Sequence, residues 1–165
     1  MKKKITYILI CFALVLAVSG CGKEKEKATP SAQIGNPWKQ WTSITEVENA
    51  TGFSFELPEI VGEKFVADTF RTMNVELIEV IYHFEDYEVC VRKRQGEGQD
   101  ISGDYNTYEI CTDENHKDIT VTRYHNSGSS ATRLTFSYQG FSWSLVAPNG
   151  FGTDSHELFL NEILK

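Results

Sequence analysis

Residues 75–106 constrain the fold of this chain most strongly. They read VELIEVIYHFEDYEVCVRKRQGEGQDISGDYN, which is an alternating strand, a tight turn at Glu85 and Asp86, a second alternating strand and a glycine-rich loop. Alternation of apolar and polar residues is typical of a β-strand with one buried face. The stretch therefore predicts a central β-hairpin followed by a loop.

The turn position determines which residues of this hairpin lie opposite each other. Opposite charges across a strand pair contribute only about 0.2–1 kcal/mol each, so they select the register while burial of the apolar face stabilises the sheet. The expected apolar pairs are Val80 with Val91, Tyr82 with Val89 and Phe84 with Tyr87, and the pairs on the other face are Glu79 with Arg92, Ile81 with Cys90 and His83 with Glu88.

The N-terminus has the parts of a bacterial secretion signal. Met1–Lys4 is basic, Ile5–Val18 is an apolar run of 14 residues, and Val18–Cys21 reads VSGC. The run is shorter than the about 20 residues of a transmembrane helix but suits the hydrophobic region of a signal peptide. Because VSGC resembles the lipobox of lipoproteins, we expect cleavage before Cys21 and acylation of its sulfur. The alternative is an ordinary signal peptide with a fortuitous cysteine.

The mature chain is expected to be an acidic domain on a lipid-anchored tether. Removal of residues 1–20 leaves 13 basic and 23 acidic residues, a net charge of −10. This charge opposes binding to nucleic acid and to anionic headgroups, so the acyl chains on Cys21 are the expected membrane contact. Residues 22–35 lack an apolar period and predict a flexible tether with a reach of about 20 Å. Residues 36–165 are long enough for a single domain.

Two helices are expected, one near each end of the domain. Ser43 and Glu46 form a capping-box pattern before residues 44–51, and Gly52 follows where a helix stops. Asp154 and Glu157 have the same spacing before an apolar stripe of Leu158, Phe159, Ile163 and Leu164. Trp38 and Trp41, which precede the first helix, are expected to pack on the sheet, the alternative being a membrane-interface belt.

The remaining patterns are typical of antiparallel strands. We expect strands at residues 53–57, 65–72, 107–112 and 119–125, with an edge strand at 53–57 because Pro58 follows it. Gln139 and Gly140 mark the turn of a last hairpin with Leu134, Phe136, Tyr138, Phe141, Trp143 and Leu145 on one face. The architecture is therefore α+β: an antiparallel, largely meander sheet of seven or eight strands with an N-terminal and a C-terminal helix packed on it.

Several segments resemble a family of secreted and lipid-anchored proteins of Firmicute-type bacteria. They are Asn36–Trp38, Thr51–Phe53, Glu76–Tyr82, Cys90–Lys93 and, above all, Asp100–Asn106. The family carries a domain of unknown function, and some members are attached to anti-sigma-factor-like membrane proteins. The resemblance implies an extracytoplasmic location and a shared fold, but no activity.

Short motifs with a known chemistry are incomplete in this sequence. The chain has no Gly-x-Ser-x-Gly and no Ser-x-x-Lys, and the segment His156–Leu160 lacks the second histidine of a zinc protease motif. Residues 100–111 alternate Asp, Ser, Asp and Asn as a calcium loop does, but Tyr105 replaces the turn glycine and Cys111 the final acid. We therefore predict no catalytic set, no metal and no cofactor.

Cys90 and Cys111 are the cysteines of the mature chain besides Cys21. They flank one loop, and if their strands were neighbours a disulfide could join them and stabilise the fold by roughly 3 kcal/mol. Secretion permits such a bond. The alternative is two buried thiols that act as small apolar residues.

The loop at residues 95–106 is the expected recognition element. It follows the basic cluster Arg92–Arg94, whose guanidinium groups suit carboxylates, so Arg94 and Gln99 are the candidate partner contacts. In the alternative interpretation Arg92 pairs with Glu79, Lys93 and Arg94 are solvated, and the aspartates at 100 and 104 cap backbone amides of the loop.

Two functions of different class follow from these observations. The first is a lipid-anchored binding module on the extracytoplasmic face of the cell membrane, whose partner is an envelope protein, a peptide or another ligand. The second is an envelope hydrolase whose active site is assembled only in the fold.

Overall fold

The computed structural model describes residues 36–152 and 154–165. The predicted signal peptide, Cys21 and the tether lie outside the described residues. The described part forms one nine-stranded sheet and two helices, which confirms the α+β prediction. Its elements are β1 (Trp38–Trp41), α1 (Ile44–Thr51), β2 (Ile60–Val61), β3 (Phe65–Met73), β4 (Leu77–Phe84), β5 (Tyr87–Gln95), β6 (Ile110–His116), β7 (Ile119–His125), β8 (Arg133–Tyr138), β9 (Phe141–Val146) and α2 (Ser155–Ile163).

The central hairpin has the predicted register. Glu85 adopts a φ of 51° in the turn, and β4 and β5 pair from Phe84 with Tyr87 to Glu79 with Arg92 and beyond. The last hairpin, β8–β9, also pairs as predicted from Tyr138 with Phe141 to Leu134 with Leu145. Both registers follow from their turn residues and from the alternation of apolar side chains.

The strand order departs from a simple meander at one step. The order across the sheet is β1-β3-β4-β5-β9-β8-β7-β6, and β2 pairs with the other end of β3. The strands β3–β5 and β6–β9 are two meanders that join where β5 pairs with β9. Because β6 lies at the far edge, the chain from β5 must cross the sheet to reach it. Residues 96–109 make this crossing, and we call them the strap.

The two faces of the sheet differ in chemistry. The apolar face carries buried residues such as Val80, Val91 and Leu145, and both helices cover it. Phe159 of α2 packs 5.2 Å from the ring centroids of Phe65 and Tyr82. The opposite face carries charged and hydroxyl side chains, and we call it the polar face; the residues along its central row are Arg71, Glu79, Arg92, Ser144, Thr135 and Thr122.

The predicted strand at residues 53–57 is wrong. This segment has no strand partner, although Phe55 and Leu57 are buried as the alternation required. It lies across the apolar face, and its backbone forms hydrogen bonds with side chains. The amide of Phe55 donates to the Glu48 carboxylate at 2.7 Å, and Lys93 Nζ donates to the carbonyl of Ser54 at 2.8 Å. The edge strand is instead β1, which pairs with β3 and brings Trp41 onto Phe70.

The predicted strand at residues 107–112 is also displaced. The observed strand β6 runs through the polar residues 113–116, and the turn comes later, at Lys117 and Asp118. Because β6 is an edge strand, its Asp, Glu and Asn side chains remain solvated while its backbone pairs with β7. β7 has the predicted bounds, and β3 ends one residue later than predicted.

The helix caps match the sequence patterns in position. Ser43 Oγ accepts from the backbone of Glu46 at 3.3 Å, and Gly52 ends α1 with a φ of 79°. The Glu46 carboxylate accepts from the backbone N–H of Thr42 at 2.8 Å, which lowers the pKa of Glu46. Asp154 is the N-cap residue of α2 but its side chain makes no capping bond. Within the described residues, neither helix has the length and apolar character needed to cross a membrane.

Candidate functional site

The strap lies on the polar face and is held mainly by side chains of the sheet. At its start, the amides of Gly98 and Gln99 each donate to a serine hydroxyl at 3.0 Å, that of Ser137 on β8 and that of Ser142 on β9. Ser142 in turn donates to the carbonyl of Gly96 at 2.7 Å. These serines lie on the face of the β8–β9 hairpin opposite its apolar side chains, and the strap covers them there.

Two arginines clamp the middle of the strap. Arg92 donates through Nη1 to the carbonyl of Ile101 at 3.0 Å, and Arg133 donates through Nη1 to the carbonyl of Asp104 at 3.0 Å. Ile101 and Ser102 are buried between them. The Arg133 guanidinium also packs on the Tyr124 ring, 3.8 Å from its centroid. The strap is therefore fixed at its centre, where sequence reasoning had assigned adaptable recognition.

The aspartates of the strap shape its turns, as the alternative interpretation of this loop predicted. Asp100 Oδ1 accepts from the amide of Ser102 at 3.0 Å and from its hydroxyl at 2.7 Å, and Asp104 Oδ1 accepts from the amide of Asn106 at 3.0 Å. Burial alone would raise the pKa of Asp100, but the bonds from Ser102 and the charges of Arg133 and Arg92 outweigh it and lower the pKa. Within the described residues, no group of three or more His, Cys, Asp or Glu side chains is arranged to hold a metal ion.

A buried carboxylate organises the charged row beside the strap. Glu79 is 0% exposed and accepts from Arg92 Nε at 2.6 Å, which confirms the predicted cross-strand pair, and it also accepts from Arg71 Nε. The Trp38 ring lies 4.6 Å and 5.3 Å from the guanidinium carbons of Arg71 and Arg92. Sequence reasoning missed Arg71, which the β3–β4 hairpin, with its turn at Asn74 and Val75, places opposite Glu79.

A cleft of about 560 Å³ opens beside this charged row, between the strap and the sheet. We call it the arginine cleft. Arg71 and Arg92 line one end, and Ile81, Cys90 and Val146 line an apolar floor in the next row of the sheet. The opposite wall comes from the second half of the strap and the chain that precedes β8; its members include Asn106, Tyr108, Asn126 and Thr132.

A second depression of about 490 Å³ lies on the other side of the strap. Neutral hydroxyls of β7 and β8 line it, together with Gln99, Asp100 and Asp118, and we call it the hydroxyl groove; the hydroxyl residues are Thr120, Thr122, Tyr124, Thr135 and Ser137. The groove has no basic lining residue, in contrast to the arginine cleft. The arginine cleft is also lined by the carboxylates of Glu79, Glu88 and Asp104, so the strap separates a depression lined by arginines and carboxylates from one lined by hydroxyls and carboxylates.

The structure does not bring the two predicted partner contacts into one site. Gln99 lines the hydroxyl groove, whereas Arg94 lines a smaller depression with Phe53 at the end of β5. Arg94 is exposed and pairs with Glu76 at 2.7 Å. The third member of the basic cluster, Lys93, was expected to be solvated in the alternative interpretation and is instead 1% exposed on the apolar face. It pairs there with Glu56 at 2.6 Å.

The expected bond between Cys90 and Cys111 is absent, and both are free thiols. Their strands are not neighbours, because β9, β8 and β7 lie between β5 and β6. The two cysteines lie in one row of the sheet, connected through Val146, Arg133 and Tyr124. Four strand spacings of about 4.8 Å each exceed the about 6.8 Å that a disulfide can span. Burial, followed by the Glu79 charge, raises the pKa of Cys90, which keeps it protonated.

The histidines lie outside both clefts. His83 contacts Glu88 at 4.0 Å, as the hairpin register predicted, and Asp68 more closely at 3.3 Å. His116 and His156 share the Glu157 carboxylate at 3.4 Å and 3.3 Å. Burial lowers the pKa of His156. No histidine lines the arginine cleft or the hydroxyl groove, although Glu88, which His83 contacts, lines the arginine cleft.

The chain matches no protein-family model, no curated protein and no solved structure.

Proposed function

We propose that this chain is a lipid-anchored binding module on the extracytoplasmic face of the cell membrane and that it binds its partner at the polar face. The anchor follows from the signal and lipobox pattern that ends at Cys21. The resemblance to secreted and lipid-anchored proteins of Firmicute-type bacteria points to the same location. The partner is an envelope protein, a peptide or another ligand of the cell envelope.

The observation that carries the proposal is the strap itself. A crossing of this length covers part of the polar face and leaves an open cleft on each side, while the apolar face is already covered by both helices. Irregular segments held on a rigid sheet are common sites of recognition. Burial raises the pKa of the Cys90 thiol, and neither cleft is lined by an imidazole, so neither lining contains a Cys–His or Ser–His pair.

The anchor is tested by replacing Cys21 with alanine in the native host. The full-length protein is expected in the membrane fraction, whereas the Cys21→Ala protein is expected to be mis-processed or released, because acyl chains supply the membrane affinity. Globomycin should block maturation of the wild type in the same way. A Cys21→Ala protein that matures and stays on the membrane would contradict the anchor.

The binding face is tested by photo-crosslinking in intact cells. A photoreactive phenylalanine replaces Tyr105, which is 97% exposed on the strap, and in a matched control it replaces Ile60, which is 55% exposed on β2. A partner that binds the polar face should be captured from position 105 and not from position 60. Equal capture from both positions, or capture from position 60 alone, would contradict the proposed face.

The sequence-based candidates can be tested with the captured partner. Replacing Arg94 and Gln99 with alanine should change the melting temperature little. The Arg94–Glu76 pair is exposed, and the hydrogen bond from Gln99 to Ser142 is donated by the backbone amide, which alanine keeps. If these side chains contact the partner, the double variant captures less of it from position 105. Unchanged capture would assign both side chains to the scaffold.

A further inference from the structure

We infer that the contact between α2 and the β6–β7 hairpin is an acid-sensitive latch, which holds the helix on the apolar face at neutral pH and releases it when His156 takes up a proton. The latch consists of His116, His156 and Glu157. It lies on the face of the sheet opposite the two clefts, so this inference goes beyond the proposed function and does not depend on which partner binds.

One carboxylate joins the helix to the hairpin. Glu157 Oε2 lies 3.4 Å from His116 Nδ1, and Oε1 of the same carboxylate lies 3.3 Å from His156 Nε2. His116 is the last residue of β6, whereas His156 and Glu157 belong to the first turn of α2. The next residue of the hairpin, Lys117, donates from Nζ to the carbonyl of Leu164 at 2.9 Å, at the C-terminal end of the helix. The hairpin therefore holds α2 at both ends.

The helix depends on such contacts for its place on the sheet. It has nine residues, fewer than the about 12–15 that an isolated helix needs to be even marginally stable in water. The side chain of its N-cap residue, Asp154, makes no capping bond, so its first turn lacks this local support. Phe159, on the next turn, covers the rings of Phe65 and Tyr82. Loosening of the first turn therefore weakens the cover over these two rings.

The geometry of His156 opposes a positive charge on its ring. The side chain is only 12% exposed. Because Nε2 faces a carboxylate, which only accepts, the neutral ring carries its proton on Nε2. Nδ1 is buried and has no hydrogen-bond partner within the described residues. A second proton on this ring would therefore create a buried N–H without an acceptor, which favours the open state of the helix, where Nδ1 meets water.

The charged groups that face His156 come from three elements. They are Arg123 on β7, Glu114 on β6, and Glu157 and Asp154 at the start of α2. Glu114 is already paired with Arg123 at 2.8 Å, and Glu157 is shared with the second imidazole of the latch. Burial and then the Arg123 charge lower the pKa of His156 below its ordinary value of 6.5, and the three carboxylates compensate only in part.

The sign of the pH dependence follows from this direction. Between the lowered pKa of the closed state and 6.5, the open state binds more protons, so the closed state loses stability as the pH falls below 6.5. At pH 5.5, an imidazole that is charged only in the open state shifts the equilibrium about tenfold toward opening. At the extracytoplasmic location proposed above, the domain meets the pH of its surroundings, so the cover over the apolar face would respond to external acid.

The test is native-state hydrogen exchange on the chain that begins at Gly22. The protection of the α2 amides of Phe159 and Leu160, corrected for the intrinsic exchange rate, should fall about tenfold between pH 7.5 and pH 5.5. At pH 5.5 their exchange should also depend less on urea than that of amides in the β4–β5 hairpin, because the helix opens without unfolding of the sheet. Unchanged protection would overturn the latch. The same urea dependence in helix and hairpin would do so too, because α2 would then leave only when the whole domain unfolds.

Variants assign the effect to one imidazole. His156→Gln keeps a side-chain N–H donor that does not titrate, so the fall in α2 protection between the two pH values should shrink from about tenfold to less than about twofold. The matched control is His83→Gln, which removes a histidine that also contacts a carboxylate, Asp68 at 3.3 Å, but lies on the polar face. This control should keep the full effect. A pH dependence that survives His156→Gln, or that is lost in His83→Gln, would overturn the inference.

A measurement on the wild type decides if His156→Gln fails to fold. The imidazole of His156, followed by NMR, should titrate with a midpoint below 6.5, and a midpoint at or above 6.5 would reject the latch. None of these experiments uses a partner. Failure of the latch would therefore leave the proposed binding module standing, and failure of the binding module would not affect the latch.

Discussion

Arg92 lies directly against the backbone of Gly103, so that a Cβ built on this glycine would be 1.9 Å from Arg92 Nη1. Gly103 has a φ of 62°, which an L side chain adopts only with strain. The close approach lets one guanidinium hold the strap through the carbonyl of Ile101 while its Nε remains on Glu79. The strap and the buried carboxylate are therefore one connected unit.

This contact predicts different effects for two glycines of the strap. Gly103→Ala must displace either Arg92 or the strap, whereas Gly98→Ala has a similar φ of 71° but meets nothing within 4 Å. Gly98→Ala should cost about 1 kcal/mol of unfolding free energy from backbone strain alone, and Gly103→Ala should cost clearly more. Urea unfolding measures both. Equal losses would show that the strap does not depend on the Arg92 contact.

The buried carboxylate of Glu79 should contribute strongly to the unfolding free energy. Glu79→Gln removes the negative charge between Arg71 and Arg92 and leaves two adjacent cations, so it should lower the unfolding free energy by about 3 kcal/mol. Glu88→Gln is the matched control, since Glu88 lies on β5, also on the polar face of the sheet, and is 44% exposed. That substitution should change the unfolding free energy by no more than about 0.5 kcal/mol. Similar losses for both would show that Glu79 does not organise the charged row.

Removing the charge of Lys93 should not lower the unfolding free energy, in contrast to removing that of Glu79. Burial lowers its pKa, and the pairing with Glu56 compensates only in part. Between the lowered folded pKa and the ordinary value of 10.5, the unfolded chain binds more protons, so this group makes stability rise with pH in that window. Lys93→Met replaces the ammonium, which lies 3.9 Å from the Phe141 ring centroid and 5.1 Å from that of Trp143, by an apolar side-chain end, and it should be neutral or stabilising at pH 7.

The same variant should lose the pH dependence. Urea midpoints of wild type and Lys93→Met, measured from pH 7 to pH 10.5, should converge as the pH rises. Glu56→Gln should instead destabilise the protein at pH 7, because it leaves the buried ammonium without its counter-charge. A Lys93→Met protein that is clearly less stable than wild type would show that the ion pair contributes more than its burial costs.

The two thiols should differ in reactivity. Cys111 is exposed on β6, whereas Cys90 has a raised pKa on the partly covered floor of the arginine cleft. In a protein that begins at Gly22 and so lacks Cys21, iodoacetamide at pH 8 should therefore label one site quickly in the folded chain and both sites after unfolding without reductant. Intact mass before and after unfolding gives the count, and peptide mapping gives the position. Two unreactive thiols in the unreduced, unfolded protein would restore the disulfide prediction.

Interactions between residues close in sequence could be read from the chain. The turn at Glu85 and Asp86, the Glu79–Arg92 pair, the cap of α1 at Ser43 and the β8–β9 hairpin all follow from patterns a few residues long. Such elements depend on turn geometry, capping and alternation, which a local segment determines by itself.

The strand order required the tertiary structure. Sequence alone predicts a strand that overlaps β6 and the strand β9, but not which of them pairs with β5. β9 takes the central place because Trp143 and Leu145 need burial on the apolar face, whereas the polar residues of β6 suit an edge. That choice separates Cys90 from Cys111, sends the strap across the polar face and places Arg71 in the lining of the arginine cleft. The sequence thus determined the β4–β5 and β8–β9 hairpins and the ends of α1, while the candidate site came from long-range pairing, which depends on competition for burial among distant strands.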